Sequence, residues 1–325
     1  MSTLILPCVG RKFIDGMPQY IVRHPNGQLL LERSMEGIFP EIYERILIVL
    51  LKEDIEQYNV RTLIESEIGK KYPIEIVELQ GVTSGPAETV YQALRLKKIV
   101  GQVVIKDSDN YISIPGQMTA NFVAGLDLNE WEKDVHNLRN KSFLILNEQK
   151  NVLDVIEKRI KSDVICLGLY GFKKAEDFIK AYEKLNDESY PISRLYISHI
   201  ISYLIGYSGK VFRYTAATEY ENWGDGRLWN DMQRDYALYF IDLDNVLGQS
   251  GMLTEKHKEK LSILQNRGAS FIGYTTHDEG YKTVALQILE EAGLKFLKVV
   301  YGCPYSEVKE IIDTDEVLER KVIEL

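Results

Sequence analysis

Short apolar runs alternate with charged, helix-spaced stretches along most of this chain. The runs "TLILP", "LLLERSMEGIF", "RILIVLL", "IEIVEL" and "QVVIKDSD" read as buried strands, and "KEDIEQYNVRTLIESEIGKK" and "AETVYQALRLKK" carry the spacing of helices between them. Strands spaced by helices predict βαβ units and a mostly parallel sheet with helices on both faces. Such a sheet opens its ligand site at the carboxyl ends of its strands. Further along, "KSFLILNE" and "SDVICLGLYGF" add two strand candidates, "FIKAYEKL" a helix, and "LYISHIISYLIG" an apolar helix that holds His199 in a structural role.

The alternation restarts at Tyr236 with "ALYFIDLD", the helix "TEKHKEKLSILQNRG", "ASFIGYTT", the helix "YKTVALQILEEAG" and "FLKVVYG". This predicts a second, small α/β unit, with a boundary near Arg234 and domains over 1–234 and 235–325. No internal repeat or low-complexity segment interrupts either part.

Composition narrows the partners. The chain has 325 residues, 45% hydrophobic and 27% charged, with a formal net charge of -9. That balance argues against nucleic acid and anionic membranes, which reward clustered Lys and Arg. Small-molecule ligands fit better, and any phosphate must meet local cations and metal ions. Three well-separated cysteines, Cys8, Cys166 and Cys303, suggest neither a disulfide framework nor a CxxC metal site. With no secretory pattern at the start and no long apolar span, a cytoplasmic location is expected.

"QVVIKDSDNYI" places Asp107 and Asp109 just past a strand end. Carboxylates at i and i+2 converge on one hard cation, and Mg²⁺ bridging nucleotide phosphates is the usual reason; the same letters also suit a solvated turn. "LPCVGRK" runs a strand into Gly10, Arg11 and Lys12, where backbone amides and cations meet a phosphate. "GVTSGPAETVYQAL" sets Gly81 and Gly85 before a helix starting near Pro86, either for close approach of a base or ribose or as a helix cap. Glu157 and Lys158 precede the next strand, where a lysine either holds a substrate phosphate or is simply solvated.

Taken in order, strand-Gly-Arg, a Gly-rich turn opening a helix, D-x-D, and E-K before "GLYGF" resemble the sugar-phosphate nucleotidylyltransferases. The branch resembled is the one in bacterial capsular polysaccharide loci, fused to a phosphatase-like domain. The resemblance covers residues 1 to about 230, and "VVIKDSDNY", "IEKR", "LGLYGF" and "YISHIISYLIG" carry it best. It implies a nucleotide-diphospho-sugar-transferase-like (Rossmann-like) mixed α/β sheet domain. Gly10, Arg11 and Lys12 would face the triphosphate, Gly85 and Thr89 the base, Asp107 and Asp109 the metal, and Glu157 and Lys158 the phosphorylated substrate. Two positions depart from the family pattern: Gln19 stands where a Lys is usual after the first-loop Pro, and Asn222 where an acidic second metal ligand is usual, so that Glu221 or Asp225 becomes the substitute.

In the second unit, Asp242 and Asp244 of "FIDLDNVL" match the first motif of the haloacid dehalogenase superfamily, which implies a small haloacid dehalogenase-like α/β domain. The first Asp attacks phosphorus, and the second, facing the same way, acts as acid and then base. Both would also serve a Mg²⁺ that shields the nucleophile. Thr275 or Thr276 would hold phosphate, His277 would line the pocket, and Lys309 and Asp313 are candidates for the later Lys and metal ligand. The other reading is a degenerate domain that only packs.

The expectation is therefore a bifunctional enzyme with one Mg²⁺ in each domain. It would transfer a nucleotidyl group from a nucleoside triphosphate, CTP by the resemblance, to a sugar or polyol phosphate, and hydrolyse a phosphate monoester. A nucleotide-sugar-dependent glycosyltransferase and a non-catalytic nucleotide-binding regulatory partner are the alternatives. Homo-oligomerisation stays open.

Overall fold

In the computed structural model the described residues are 2–304, apart from 11, 13–15, 117–120, 133, 134, 136, 188–193, 225–228, 230–236, 248–251 and 267, with the Thr283 side chain also set aside. Arg11, Asp225, Lys309 and Asp313 lie outside them. The chain divides into two units, 1–24 with 28–229, and 25–27 with 230–325.

In the first unit the strands are β1 Ser2–Pro7, β2 Arg45–Leu51, β3 Ile74–Leu79, β4 Gln102–Lys106, β5 Asn110–Ser113, β6 Phe122–Asp127, β7 Phe143–Leu146, β8 Asn151–Ile156, β9 Val164–Phe172, β10 Phe212–Ala216 and β11 Glu219–Asn222. The helices are α1 Leu30–Glu36, α2 Lys52–Tyr58, α3 Val60–Glu67, α4 Pro86–Leu96, α5 Ala175–Leu185 and α6 Ile197–Ser208. Nine strands form one sheet in the order β3-β2-β1-β4-β9-β6-β10-β8-β7, and β11 pairs with β5 separately.

Strands β3, β2, β1 and β4 are parallel, as the alternation predicts, but β9 runs antiparallel to both β4 and β6. The sheet is mixed rather than mostly parallel. All nine residues of β9 are buried, which explains its unbroken apolar run. Successive residues of β1 and β2 alternate between two cores. Ile5, Leu47 and Val49 face α4, α5 and α6, while Leu4, Leu6, Ile46 and Ile48 face α1 and α3.

Two element assignments differ from the sequence expectation. "LLLERSMEGIF" is helical, because Leu30, Leu31, Ser34 and Met35 share a buried face one turn apart. The long helix expected from Lys52 onward is two helices, broken at Asn59, whose φ of +49° is left-handed. Strands β5, β6, β8, β10 and β11 are additions to the predicted set.

The second unit holds three parallel strands, β12 Leu238–Asp242, β13 Ser270–Tyr274 and β14 Phe296–Val300, in that order. Its helices are α7 Leu243–Leu247, α8 Glu255–Asn266 and α9 Lys282–Glu291. Ile241, Leu261, Phe271, Ala285 and Leu289 form its core. Among the described residues no helix is long and apolar enough to cross a membrane.

Candidate active site

The carboxyl ends of β1 and β4 open into a cavity of about 600 Å³. Its walls come from residues 7–10 after β1, 82–86 with Thr89 at the start of α4, 107–110 after β4, 140–142, the Glu157-Lys158 turn between β8 and β9, and Arg194 with Tyr196 ahead of α6.

The Asp-Ser-Asp-Asn turn is held from several sides. The Asp107 amide donates to the Gly168 carbonyl at 2.8 Å. Gly168 has φ +76°, and a Cβ there would collide with the Asp107 carboxylate, so glycine is required on two counts. Beneath the turn Lys106 is fully buried. Its ammonium donates to the Asp107 carbonyl, to the Asn110 carbonyl at 2.8 Å and to Asn110 Oδ1 at 2.7 Å. Burial lowers its pKa, while Asp107 and Asp109 pull the other way. Trp223, also fully buried, donates from its amide to the Asp109 carbonyl at 3.2 Å and from its indole to the Ser108 carbonyl at 3.3 Å. None of these supports is part of the sequence reading; Lys106 and Trp223 read there only as neighbours of a motif.

Asp107 and Asp109 fit a hard divalent cation. They offer carboxylate oxygens at the cavity wall, and Gly168 leaves room for the Asp107 side chain. No set of three His, Cys, Asp or Glu side chains forms a protein-only cage among the described residues. Mg²⁺ commonly accepts that arrangement, taking its other ligands from phosphate and water. Of the proposed substitutes for a second acidic ligand, Glu221 is otherwise engaged. Arg33 donates to it at 2.7 Å and His24 Nε2 lies 3.6 Å away. Burial works against its charge, but His24 and Arg33 bring the Glu221 carboxyl down to about 2. Asn222 Oδ1 accepts the Gly224 amide at 3.0 Å.

After β1, Gly10 lines the cavity at φ +99°, a conformation that favours glycine. Lys12 is not a lining residue; its ammonium sits 3.3 Å from Oδ1 of the buried Asp54. Gly85 caps α4 in extended conformation, and a Cβ there would lie 2.6 Å from the Leu195 carbonyl. The close approach that Gly85 permits is thus to the chain ahead of α6. Thr89 is buried, with its hydroxyl 2.7 Å from that of Thr83.

At the other end, Glu157 accepts from Ser142 at 2.6 Å and Ser198 at 2.7 Å. Lys158, at φ +52°, donates to the Tyr196 hydroxyl at 2.8 Å. Arg194 and Lys141 add two cations that the sequence reading did not single out. Their signal was absent there because both sit in segments with no motif spacing. His199 Nδ1 accepts the Tyr196 amide at 3.1 Å, a helix-capping role.

In the second unit, β12 delivers Asp242, and adjacent β13 ends just before Thr275 and Thr276. Asp242 Oδ1 accepts the Asp244 amide at 3.1 Å, and Oδ2 accepts from Tyr274 at 3.2 Å and Asn245 at 3.1 Å. Asp244 is bound by the Thr275 hydroxyl, and by the Thr276 amide and hydroxyl, each at 2.8 Å. Although burial opposes its charge, these bonds hold the Asp244 carboxyl below the usual range. The His277 amide donates to Thr275 Oγ1 at 3.1 Å, and its ring lies against Tyr281.

No family model and no curated protein matches the chain. Solved structures do share its fold. A nucleoside-diphosphate-sugar pyrophosphorylase from Vibrio cholerae RC9 superposes with a TM-score of 0.59 at 21% identity, covering 71% of this chain and 99% of that one. The inositol-1-phosphate CTP transferase from T. maritima gives 0.53 at 12% identity, covering 72% and 95%. A UDP-glucose pyrophosphorylase complexed with UDP-glucose gives 0.55 at 12% identity, covering 72% and 97%. At these identities the likeness establishes a shared mixed α/β fold.

Proposed function

We propose that the first unit is a nucleotidyltransferase that moves a nucleotidyl group from a nucleoside triphosphate to a sugar or polyol phosphate. The observation that carries this reading is the single cavity uniting the Gly10 loop, the Asp107-Asp109 turn and the Glu157-Lys158-Arg194 end. The activities of proteins that share the fold, sugar-nucleotide pyrophosphorylases and a CTP transferase, support it. An acceptor phosphate oxygen attacks the α-phosphorus, the α–β bond breaks, and pyrophosphate leaves. Such transfer needs positioning and charge stabilisation more than covalent help.

Lys158 and Arg194 orient the acceptor phosphate, and Glu157, fixed by Ser142 and Ser198, accepts a hydrogen bond from the acceptor's hydroxyl. Gly10, with Arg11 next to it in the chain, faces the triphosphate, Lys12 joins them only by leaving Asp54, and Gly85 and Thr89 border the base. Mg²⁺ held by Asp107 and Asp109 would neutralise charge on the triphosphate. CTP is the first donor to test, and capsular precursor synthesis is the role the sequence resemblance suggests.

For the second unit the reading is hydrolysis of a phosphate monoester, with Asp242 as nucleophile and Asp244 as its acid-base partner. Their convergence with Thr275 and Thr276 at the carboxyl ends of two adjacent parallel strands supports it. Substrate must draw Thr275 away from Asp244 before that hydroxyl can hold a phosphoryl oxygen, and Asp244 must take up a proton. Lys309 and Asp313 complete the expected set.

A pyrophosphate-release screen of four nucleoside triphosphates against sugar and polyol phosphates tests the first activity. Release is expected for at least one pair and lost in Asp109→Ala with the circular dichroism spectrum unchanged. Undiminished release in that variant, or glycosyl transfer from a nucleotide sugar without pyrophosphate, overturns the reading.

A further inference from the structure

Gln19 lines the cavity, yet its side chain turns away from solvent. It is 5% exposed, in a 3-10 turn directly after Pro18, and its Nε2 donates to the Trp223 carbonyl at 2.6 Å. The amide of the same Trp223 donates to the Asp109 carbonyl, and its indole to Ser108. A continuous chain of donors and acceptors therefore runs from the first loop to the backbone of the Asp107-Asp109 turn. The two bonds lie on the two peptide groups that flank the Trp223 Cα, so what they share is the fixed position of that residue. The Gln19 amide thus bonds to protein, on the residue that holds the turn.

We propose that Gln19 is a positioning residue for Asp109, acting through Trp223, and that it tunes divalent-cation affinity rather than touching nucleotide. The proposal rests on the nucleotidyltransferase reading for its kinetic consequences only. The physical basis is that a bound cation needs both carboxylates in place beforehand. Direct hydrogen-bond supports of metal ligands commonly change affinity by about 10–100-fold, and Gln19, two hydrogen bonds from the Asp109 backbone through Trp223, falls at the lower end of that range. Trp223 has no freedom to move alone, because it is fully buried and bonded on two sides.

The test compares wild type with Gln19→Met, which keeps length but loses the donor, and with Gln19→Lys. Trp223→Phe removes the indole bond to Ser108 and some of the packing of a fully buried ring, and keeps the backbone bonds. Mn²⁺ binding to the nucleotide-free protein is read from the free-ion electron paramagnetic resonance signal, and pyrophosphate release is measured across metal and nucleotide concentrations. Gln19→Met is expected to weaken Mn²⁺ binding about tenfold and to raise the half-saturating Mg²⁺ by a similar factor. Its nucleotide KM at saturating metal stays within about twofold. Trp223→Phe shows a smaller loss in the same direction, and carries the test if Gln19→Met does not fold. Gln19→Lys lowers turnover, since a buried ammonium replaces a neutral amide.

Unchanged Mn²⁺ affinity in Gln19→Met overturns the proposal, as does a raised nucleotide KM with an unchanged metal requirement, or a gain of activity in Gln19→Lys. A wild type that binds no more Mn²⁺ than Asp109→Ala overturns it too. A wild type that binds Mn²⁺ in a Gln19-dependent way but releases no pyrophosphate defeats the nucleotidyltransferase reading and leaves this inference standing.

Discussion

Lys106 donates two bonds to Asn110, one to its carbonyl and one to its side-chain oxygen, so a buried cation lies under the turn that presents two carboxylates. The ammonium both ties the backbone and offsets the repulsion between Asp107 and Asp109. Lys106→Met leaves these acceptors buried without a donor, each such group costing about 1–3 kcal/mol. The variant is expected to lose about 3 kcal/mol of stability in urea denaturation of the full chain. A loss below about 0.5 kcal/mol, the range of an ordinary surface change, would show that the turn does not depend on it.

Lys158 stands at the acceptor end of the cavity with Tyr196 as its partner. Lys158→Ala is expected to raise the acceptor KM about tenfold or more while the nucleotide KM changes less than about twofold, because the ammonium is a point charge for the acceptor phosphate. Tyr196→Phe, which removes the hydroxyl that holds the lysine, gives a smaller rise of the same kind. Initial-rate measurements varying each substrate decide it; equal changes in both KM values count against the assignment.

Asp242→Asn keeps the size and much of the hydrogen bonding of Asp242 and removes its attacking charge. Phosphate release from a panel of sugar and polyol phosphates is expected in the wild type and reduced by at least about a thousandfold in the variant, as for loss of a nucleophile. Equal release by both proteins refutes the nucleophile. Release by neither assigns the unit to packing.

Glu221 gives a pH signature. Its folded pKa of about 2 lies below the ordinary glutamate value, so its ionised form stabilises the fold fully above about pH 4.3. That contribution is lost as pH falls from there through about 2. Glu221→Gln should therefore be less stable than wild type at pH 7, by about 2 kcal/mol for a charged hydrogen bond. The gap should narrow toward pH 2.5. Denaturation midpoints at several pH values measure it, and a gap independent of pH contradicts the Arg33 and His24 pairing.

The sequence showed the ends of the argument better than its middle. Strands β1, β2, β4 and β9 are legible as apolar runs because they are buried, the half-buried β3 because its apolar residues are broken only by two glutamates, and D-x-D and the Gly10 loop because spacing and glycine mark them. Strands β8 and β11 are partly exposed, and their mixed patterns carry no period of two strong enough to read. Leu30 and its neighbours misled because three leucines in a row fit a strand as well as a helix face. Gly85 lines the cavity and also packs against Leu195, a second demand that its place before a helix does not display. Lys106 and Trp223 were illegible for a different reason, since their work depends on partners set by tertiary structure; Gln19 is visible as a departure, but its partner lies 204 positions away.

That separation bears on synthesis. The pairing of β11 with β5 and the Trp223 bonds to Ser108 and Asp109 join the middle of the first unit's sequence to its last strand. A nascent chain emerging from the ribosome holds Asp107 and Asp109 early, but cannot clamp them until Trp223 follows more than a hundred residues later. The Asp107-Asp109 turn is thus among the last features to be completed, and β5 waits as an unpaired edge until then, open to mispairing. Chains halted before residue 219 would carry the acidic motif yet lack the clamp that shapes it, so premature termination produces no half-formed enzyme with a finished site.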